Sequence, residues 1–239
     1  ICRYYKTKNF SNEVSSMSKL SERYSKFVKE DFSLKSLNLR DYYASIVSDY
    51  TFLPEEMIII IGDTKLGKTA WVQNLCIHAN HLNTLYMTLE VGELQIYRRF
   101  CQIQHSMTKH EAIQYHIDND KKTIEEFRRP INHIKTLQVS PENMCSDMNG
   151  DKKQIAQELS VIIVGISHIS RSASREYLDI HSAKGNSAIE QKADKIIGIT
   201  GSRDESETRI IRALGSRDEN NFEVMCYFDY NTFKFREAK

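Results

Sequence analysis

An α/β domain with a mostly parallel, twisted sheet flanked by helices is the fold class this sequence predicts, on three observations. The runs "MIIII" (57 to 61) and "SVIIVGISH" (160 to 168) are near-continuous aliphatic stretches, as expected of strands covered on both faces. Segments with helical spacing of apolar residues alternate with such runs, the pattern of strand-helix-strand units. The first run also passes directly into a glycine-bounded loop and then a helical stretch.

Taken in order, residues 1 to about 50 are polar and rich in Ser and Lys, with Tyr24, Phe27, Val28, Leu34, Leu37, Tyr42, Tyr43, Ile46 and Val47 at roughly helical spacing. They read as a short helical arm or linker, with the main domain over 51 to 239. Met57 to Ile61 is the first buried strand, Gly62 to Gly67 a loop, and Lys68 to about Leu82 a helix. "TLYMTLE" (84 to 90) is a second strand, ending on a glutamate. A helix over 92 to 104 follows, with Leu94, Ile96, Tyr97 and Phe100 on its face. "HIKTLQVS" (133 to 140) is a third strand after a polar helical stretch. "KKQIAQEL" is a helix leading into the strand "SVIIVGISH". "ADKIIGITG", "TRIIRAL" and "FEVMCYFDYNTFKF" supply the remaining strands, the last two antiparallel at an edge.

The totals bound the function. A chain of 239 residues with 40% hydrophobic and 27% charged residues can bury a substantial core. Lys and Arg number 33 against 32 Asp and Glu, so any contact with a polyanion must come from a local patch. The five cysteines, Cys2, Cys76, Cys101, Cys145 and Cys226, show no C-x-x-C pair and read as reduced thiols in a cell interior. The aliphatic run before the loop is too short to span a bilayer, and "ICRYYKTKNF" has no apolar core of a signal peptide. A cytoplasmic protein without membrane contact is expected, nuclear or organellar in a eukaryotic host. Starting at Ile1 without methionine, the sequence reads as a piece of a larger protein.

The chemistry begins at "GDTKLGKT". Gly62, Asp63, Thr64, Lys65, Leu66, Gly67, Lys68 and Thr69 fit G-x-x-x-x-G-K-[ST] in full, between a strand and a helix. In such a loop, backbone N–H groups and the helix N-terminus cradle phosphate oxygens. Lys68 then reaches the β- and γ-phosphates, and the Thr69 hydroxyl is a ligand for Mg²⁺. ATP and Mg²⁺ are the cofactors this implies. Glu90 ends the next strand, at the carboxyl edge of the sheet, where a carboxylate can orient and deprotonate an attacking water. A glutamate there also suits the start of a helix, through the dipole. His168 closes its strand in the same way, either as a satisfied structural histidine or as a sensor of the γ-phosphate.

The ordered blocks "IIIIGDTKLGKTAW", "LYMTLEVGELQIYRRF", "ELSVIIVGISHISRS", "KGNSAIEQKADKIIGI" and "RIIRALGSRDENNFEVMCYFDYNTFKF" resemble the RecA-like motor domain of DnaB-type replicative helicases, a group that includes phage primase-helicases and Twinkle. The resemblance covers about residues 50 to 238. It implies a catalytic role for Glu90 and a sensor role for His168. It makes Arg217 an arginine finger lent to a neighbouring subunit, and Lys184, Gly185, Asn186 and Ser187 a loop that holds single-stranded DNA. Arg171, with Arg175, would line the channel beside that loop. A homo-oligomer, a hexameric ring, follows from the same resemblance, with a primase or helicase loader as partner. The position two before the finger, basic in the family, is Gly215 here. The family's aliphatic strand ending in a metal-binding aspartate is not legible between Leu137 and Asp151, where Asp147 of "MCSD" is the candidate. The spacing from Lys68 to His168 is also shorter than the resemblance implies. A RecA-like recombinase or loader and a nucleotide-binding switch with weak hydrolysis are the competing readings.

Overall fold

The computed structural model describes residues 15–88, 91–138, 148–167, 193–201 and 207–238. The chain forms two compact units, 1–34 and 35–239.

In the first unit, Ser16 caps helix α1 (Met17–Lys26) by accepting the Lys19 N–H at 3.3 Å, satisfying a donor that the helix itself leaves unpaired. The helix continues through a π-helical turn (Phe27–Asp31) into α2 (Phe32–Lys35). Leu20, Tyr24, Val28 and Phe32, four residues apart, are all exposed. Helical spacing therefore builds an apolar stripe that solvent can reach.

The second unit starts at Lys35, ahead of the boundary expected at residue 50. Strand β1 (Leu37–Asn38) pairs antiparallel with β2 (Thr51–Phe52), and Leu39, Tyr43, Ile46 and Tyr50 between them are buried in the main core. Polar residues separate these apolar ones, so the segment looks like a linker in sequence although its few large side chains point inward.

From there the elements alternate. They are β3 (Met57–Gly62), α3 (Lys68–His78), β4 (Thr84–Thr88), α4 (Glu93–His105), α5 (Lys109–Asp118), α6 (Lys121–Arg128), β5 (Ile134–Gln138), α7 (Met148–Leu159), β6 (Ile163–Ile166), β7 (Lys195–Thr200), β8 (Thr208–Ser216), β9 (Glu223–Asp229) and β10 (Lys234–Glu237). Local chemistry sets several boundaries. Thr108 and Glu111 form a reciprocal capping box at the start of α5, and the Asp120 carboxylate accepts the Thr123 N–H to start α6.

Among the described residues, six strands form one sheet in the order β10-β9-β8-β7-β3-β6. β3 lies between β7 and β6 and is parallel to both, and all six of its residues are buried. That is the burial its aliphatic run demands. β8, β9 and β10 continue the sheet antiparallel, with the alternating burial of strands covered mainly on one face.

Two features depart from the expectation. The aliphatic run of β6 predicts cover on both faces, yet its residues are half-buried or exposed, Ile166 being 40% exposed. The reason is position: among the described residues β6 is the edge strand and pairs with β3 alone. β4 pairs in parallel with β5 in a separate two-stranded sheet, leaving Leu85 and Met87 exposed. A second apolar cluster, built by Ile96, Phe100, Cys101, Phe127 and Ile131, packs α4 against α6 and the turn after it, with Tyr86 and Ile134 of this small sheet against it.

The described cysteines behave as core hydrophobes. Cys76, Cys101 and Cys226 are free thiols, and burial pushes them up to about 12, 11 and 12. No helix of the described residues is long and apolar enough to cross a membrane.

Candidate nucleotide site

The loop after β3 lies where parallel α/β sheets place their ligand sites, at the carboxyl end of a central strand. Two glycines shape it. A side chain at Gly62 would bring its Cβ within 2.5 Å of the Ile199 carbonyl oxygen, so only glycine lets β3 leave the sheet this close to β7. Gly67 has φ +90° and caps α3, and a Cβ there would meet the rings of Phe235 and Phe228 at 3.0 and 3.1 Å. The aromatic pair of the C-terminal hairpin, stacked at 4.7 Å, is thus the wall behind the loop. Between the glycines, the Asp63 carboxylate accepts the Thr64 N–H at 2.7 Å, closing the turn locally.

Lys68 opens α3 and is 4% exposed. Its ammonium donates to the carbonyls of Gly62 at 2.8 Å and Asp63 at 2.7 Å, so the loop backbone holds the cation within its own concavity. Thr69, half-buried, is the next residue of the same first turn. A positive helix end, loop amides and a centred ammonium are together the arrangement that binds a phosphate chain. Thr69 also fits Mg²⁺, an ion that usually keeps several waters and needs few protein ligands beside the substrate phosphates. In keeping with that, no cluster of three or more metal-binding side chains exists among the described residues.

The helix behind the loop is held hard. Trp71 is fully buried and donates its indole N–H to the Tyr43 hydroxyl at 2.7 Å. Asn74 donates to the Phe233 carbonyl at 2.9 Å and accepts the Phe235 N–H at 3.2 Å, fixing α3 against β10.

Arg209 is a site residue that the sequence reading missed. It is fully buried, donates to the Leu66 carbonyl at 3.3 Å and to the Thr208 carbonyl at 2.7 Å, and bonds the Tyr230 hydroxyl. Its guanidinium lies 5.8 Å from the Phe228 ring centre and 5.5 Å from that of Tyr230. A cation deep in the protein thereby secures one carbonyl of the phosphate loop. The signal is present in the sequence: in "TRIIRAL" the alternation that buries Ile211 and Ala213 buries Arg209 too. Replacing Arg209 with leucine is expected to cost about 2–3 kcal/mol in a urea melt, since charged hydrogen bonds are lost and a buried carbonyl is left unmatched. Nucleotide affinity should fall with it.

Other expected site residues are Glu90, His168, Asp147, Arg171, Lys184, Gly185, Asn186 and Ser187. All lie outside the described residues. The elements leading to two of them are placed. β6 runs toward His168, and the Ser167 N–H bonds the Ile60 carbonyl at 2.9 Å, beside the start of the loop. β4 runs toward Glu90 from the separate two-stranded sheet.

Arg217 sits elsewhere. It follows β8, whose Ser216 pairs with Lys195 at the amino end of β7. The loop lies at the carboxyl end of the neighbouring parallel strand β3. A six-residue strand at about 3.3 Å per residue puts roughly 15–20 Å between these two ends. The Arg217 side chain is 56% exposed and lies 3.4 Å from the Asp194 carboxylate. The structure therefore does not bring Arg217 to its own chain's loop.

No family model matches the chain. A stretch of 61 residues is 36% identical to the replicative DNA helicase DnaB of Treponema pallidum (strain Nichols), spanning 26% of this chain and 14% of that protein. Among solved structures, an isolated ATPase domain of a DnaB-like helicase superposes with a TM-score of 0.71 at 14% identity, over 95% of this chain and 100% of that one. A DnaB-like replicative helicase, described with its interactions with primase, gives 0.61 at 14% identity, over 77% of this chain and 59% of that one.

Proposed function

Starting from a fold shared with the ATPase domains of DnaB-like helicases, we propose that this chain is the motor of a replicative DNA helicase, which hydrolyses ATP to move along single-stranded DNA as a ring. One observation carries the reading: the chain has two halves of an ATP site at opposite ends of one sheet, the Lys68 loop and the exposed Arg217. They can meet only when one copy's arginine faces another copy's loop.

In this mechanism the loop amides and Lys68 bind the β- and γ-phosphates. Thr69, with Asp147 as the second candidate, holds Mg²⁺, which when bound neutralises charge on those phosphates. Glu90 orients the attacking water and takes its proton. His168 reads the presence of the γ-phosphate, and Arg217 of the neighbour stabilises the charge that builds up in transfer. Lys184 to Ser187, with Arg171, contact the DNA backbone in the channel. A hexamer is the proposed ring. The exposed apolar stripe of α1 and α2 fits docking on an adjacent copy, and a primase or loader is the proposed partner.

The decisive experiment is ATP-dependent strand displacement on a forked duplex. Unwinding supports the proposal, whereas ATP-dependent pairing of homologous strands without unwinding assigns a recombinase. Nucleotide binding with neither activity assigns a switch. Lys184→Ala is expected to weaken single-stranded DNA binding and to lower the slope of log K against log salt by about 0.7, the loss of one phosphate contact. Titrations between low and physiological salt check this, and an unchanged slope removes Lys184 from the channel.

A further inference from the structure

We infer that Asp194 is the positioning residue for Arg217, so that the arginine a subunit lends is set by a carboxylate at the foot of that subunit's own phosphate-loop strand. The inference rests on the trans role proposed for Arg217.

The geometry is specific. Asp194 has an 11% exposed side chain and stands at the start of β7. One carboxylate oxygen faces Arg217 Nη1 at 3.4 Å, and its backbone carbonyl accepts the Arg217 N–H at 3.3 Å. The arginine is thus gripped at both its main chain and its side chain. The other carboxylate oxygen accepts the N–H of Met57, the first residue of β3, at 2.8 Å and the Lys153 ammonium of α7 at 2.5 Å. Lys153 is itself anchored on the Glu55 carbonyl at 2.7 Å. One carboxylate therefore joins the strand that carries the phosphate loop, helix α7, and the turn that carries the arginine.

The next residue fixes the same turn from its other side. Lys195 is 2% exposed and donates to Glu56 at 2.6 Å and to the Thr51 carbonyl at 2.7 Å, with Glu219 at 3.5 Å. Glu219 in turn accepts the Thr51 N–H at 2.9 Å, and the Ser216 hydroxyl accepts the Glu219 N–H at 3.1 Å. Arg217 is the exposed member of a turn whose neighbours are tied down on both sides. Such a turn presents its cation with little freedom to lose on engaging a phosphate, which is the condition for a charge to act in a transition state.

The test uses mixed assemblies of the whole chain. Asp194→Asn keeps an oxygen for the Met57 N–H but removes the charge facing Arg217. Alone, it is expected to lower kcat for ATP roughly tenfold or more, with nucleotide affinity unchanged. Mixing it with Lys68→Ala subunits, which cannot hold ATP but carry an intact Asp194 and Arg217, is expected to restore turnover at the mixed interfaces. Arg217→Ala mixed with Lys68→Ala is the reference.

Rescue of both variants supports the inference. Rescue of Arg217→Ala alone overturns it while leaving the trans arginine in place. Rescue of neither overturns the trans reading and the inference with it. Asp194→Glu, which keeps the charge, enters the same mixing as a second variant. If neither Asp194 variant assembles while Arg217→Ala does, Asp194 holds the subunit together and the positioning role is overturned.

Discussion

Lys68→Ala is expected to remove ATP turnover and most of the nucleotide affinity while the fold persists. The ammonium is held among the loop carbonyls by defined bonds, 2.8 and 2.7 Å to Gly62 and Asp63. Deleting it withdraws one or two charge-assisted hydrogen bonds from the bound phosphates, about 1.5–3 kcal/mol each, or roughly 10- to 100-fold in Kd per bond. The loss in kcat is expected to be about 10²–10³-fold or more, the scale found when one preorganised donor to developing charge is deleted. Helix α3 stays anchored through Trp71 and Asn74, so circular dichroism should be unchanged. Fluorescent-nucleotide titration and steady-state turnover measure the two effects. Wild-type turnover in this variant would remove the loop from catalysis.

Arg217→Ala is expected to separate binding from chemistry. Nucleotide affinity should hold, because the residue sits at the far end of the sheet from its own loop. Turnover should fall by about 10³-fold or more, the range for losing an arginine that stabilises phosphoryl transfer from a neighbouring subunit. The split between an unchanged Kd and a collapsed kcat is the signature to measure. A variant that weakens binding and leaves kcat intact would place Arg217 outside the reaction.

How much of this was legible in sequence follows from what each feature depends on. Phosphate chemistry dictates residue types at fixed spacing, so the loop, β3 and α3 could be read from "MIIIIGDTKLGKT" directly. The C-terminal strands were readable because alternation in "FEVMCYFDY" reports a half-covered sheet. The exposed edge of β6 was not readable. Its composition is that of a buried central strand, and only the neighbour on each side decides whether such a strand is covered. Asp194, Lys195 and Arg209 escaped for a related reason. A charged residue in a strand looks like surface until the register shows which carbonyls and carboxylates surround it. Tyr43 escaped because its value lies in one bond to Trp71, a partner 28 positions away in sequence.

The wall behind the phosphate loop bears on how the molecule comes into being. Gly67 is backed by Phe228 and Phe235, and the Leu66 carbonyl is bound by Arg209, all from the last three strands of the chain. The loop itself lies in the first third of the sequence. During synthesis the phosphate-binding motif therefore leaves the ribosome long before the residues that shape it, and it stays unbacked until the final hairpin pairs. Contacts of such long sequence separation form late and slowly. The ability to grip a nucleotide is consequently among the last properties the growing chain acquires, and a product cut short before β10 would carry the whole motif without a formed site.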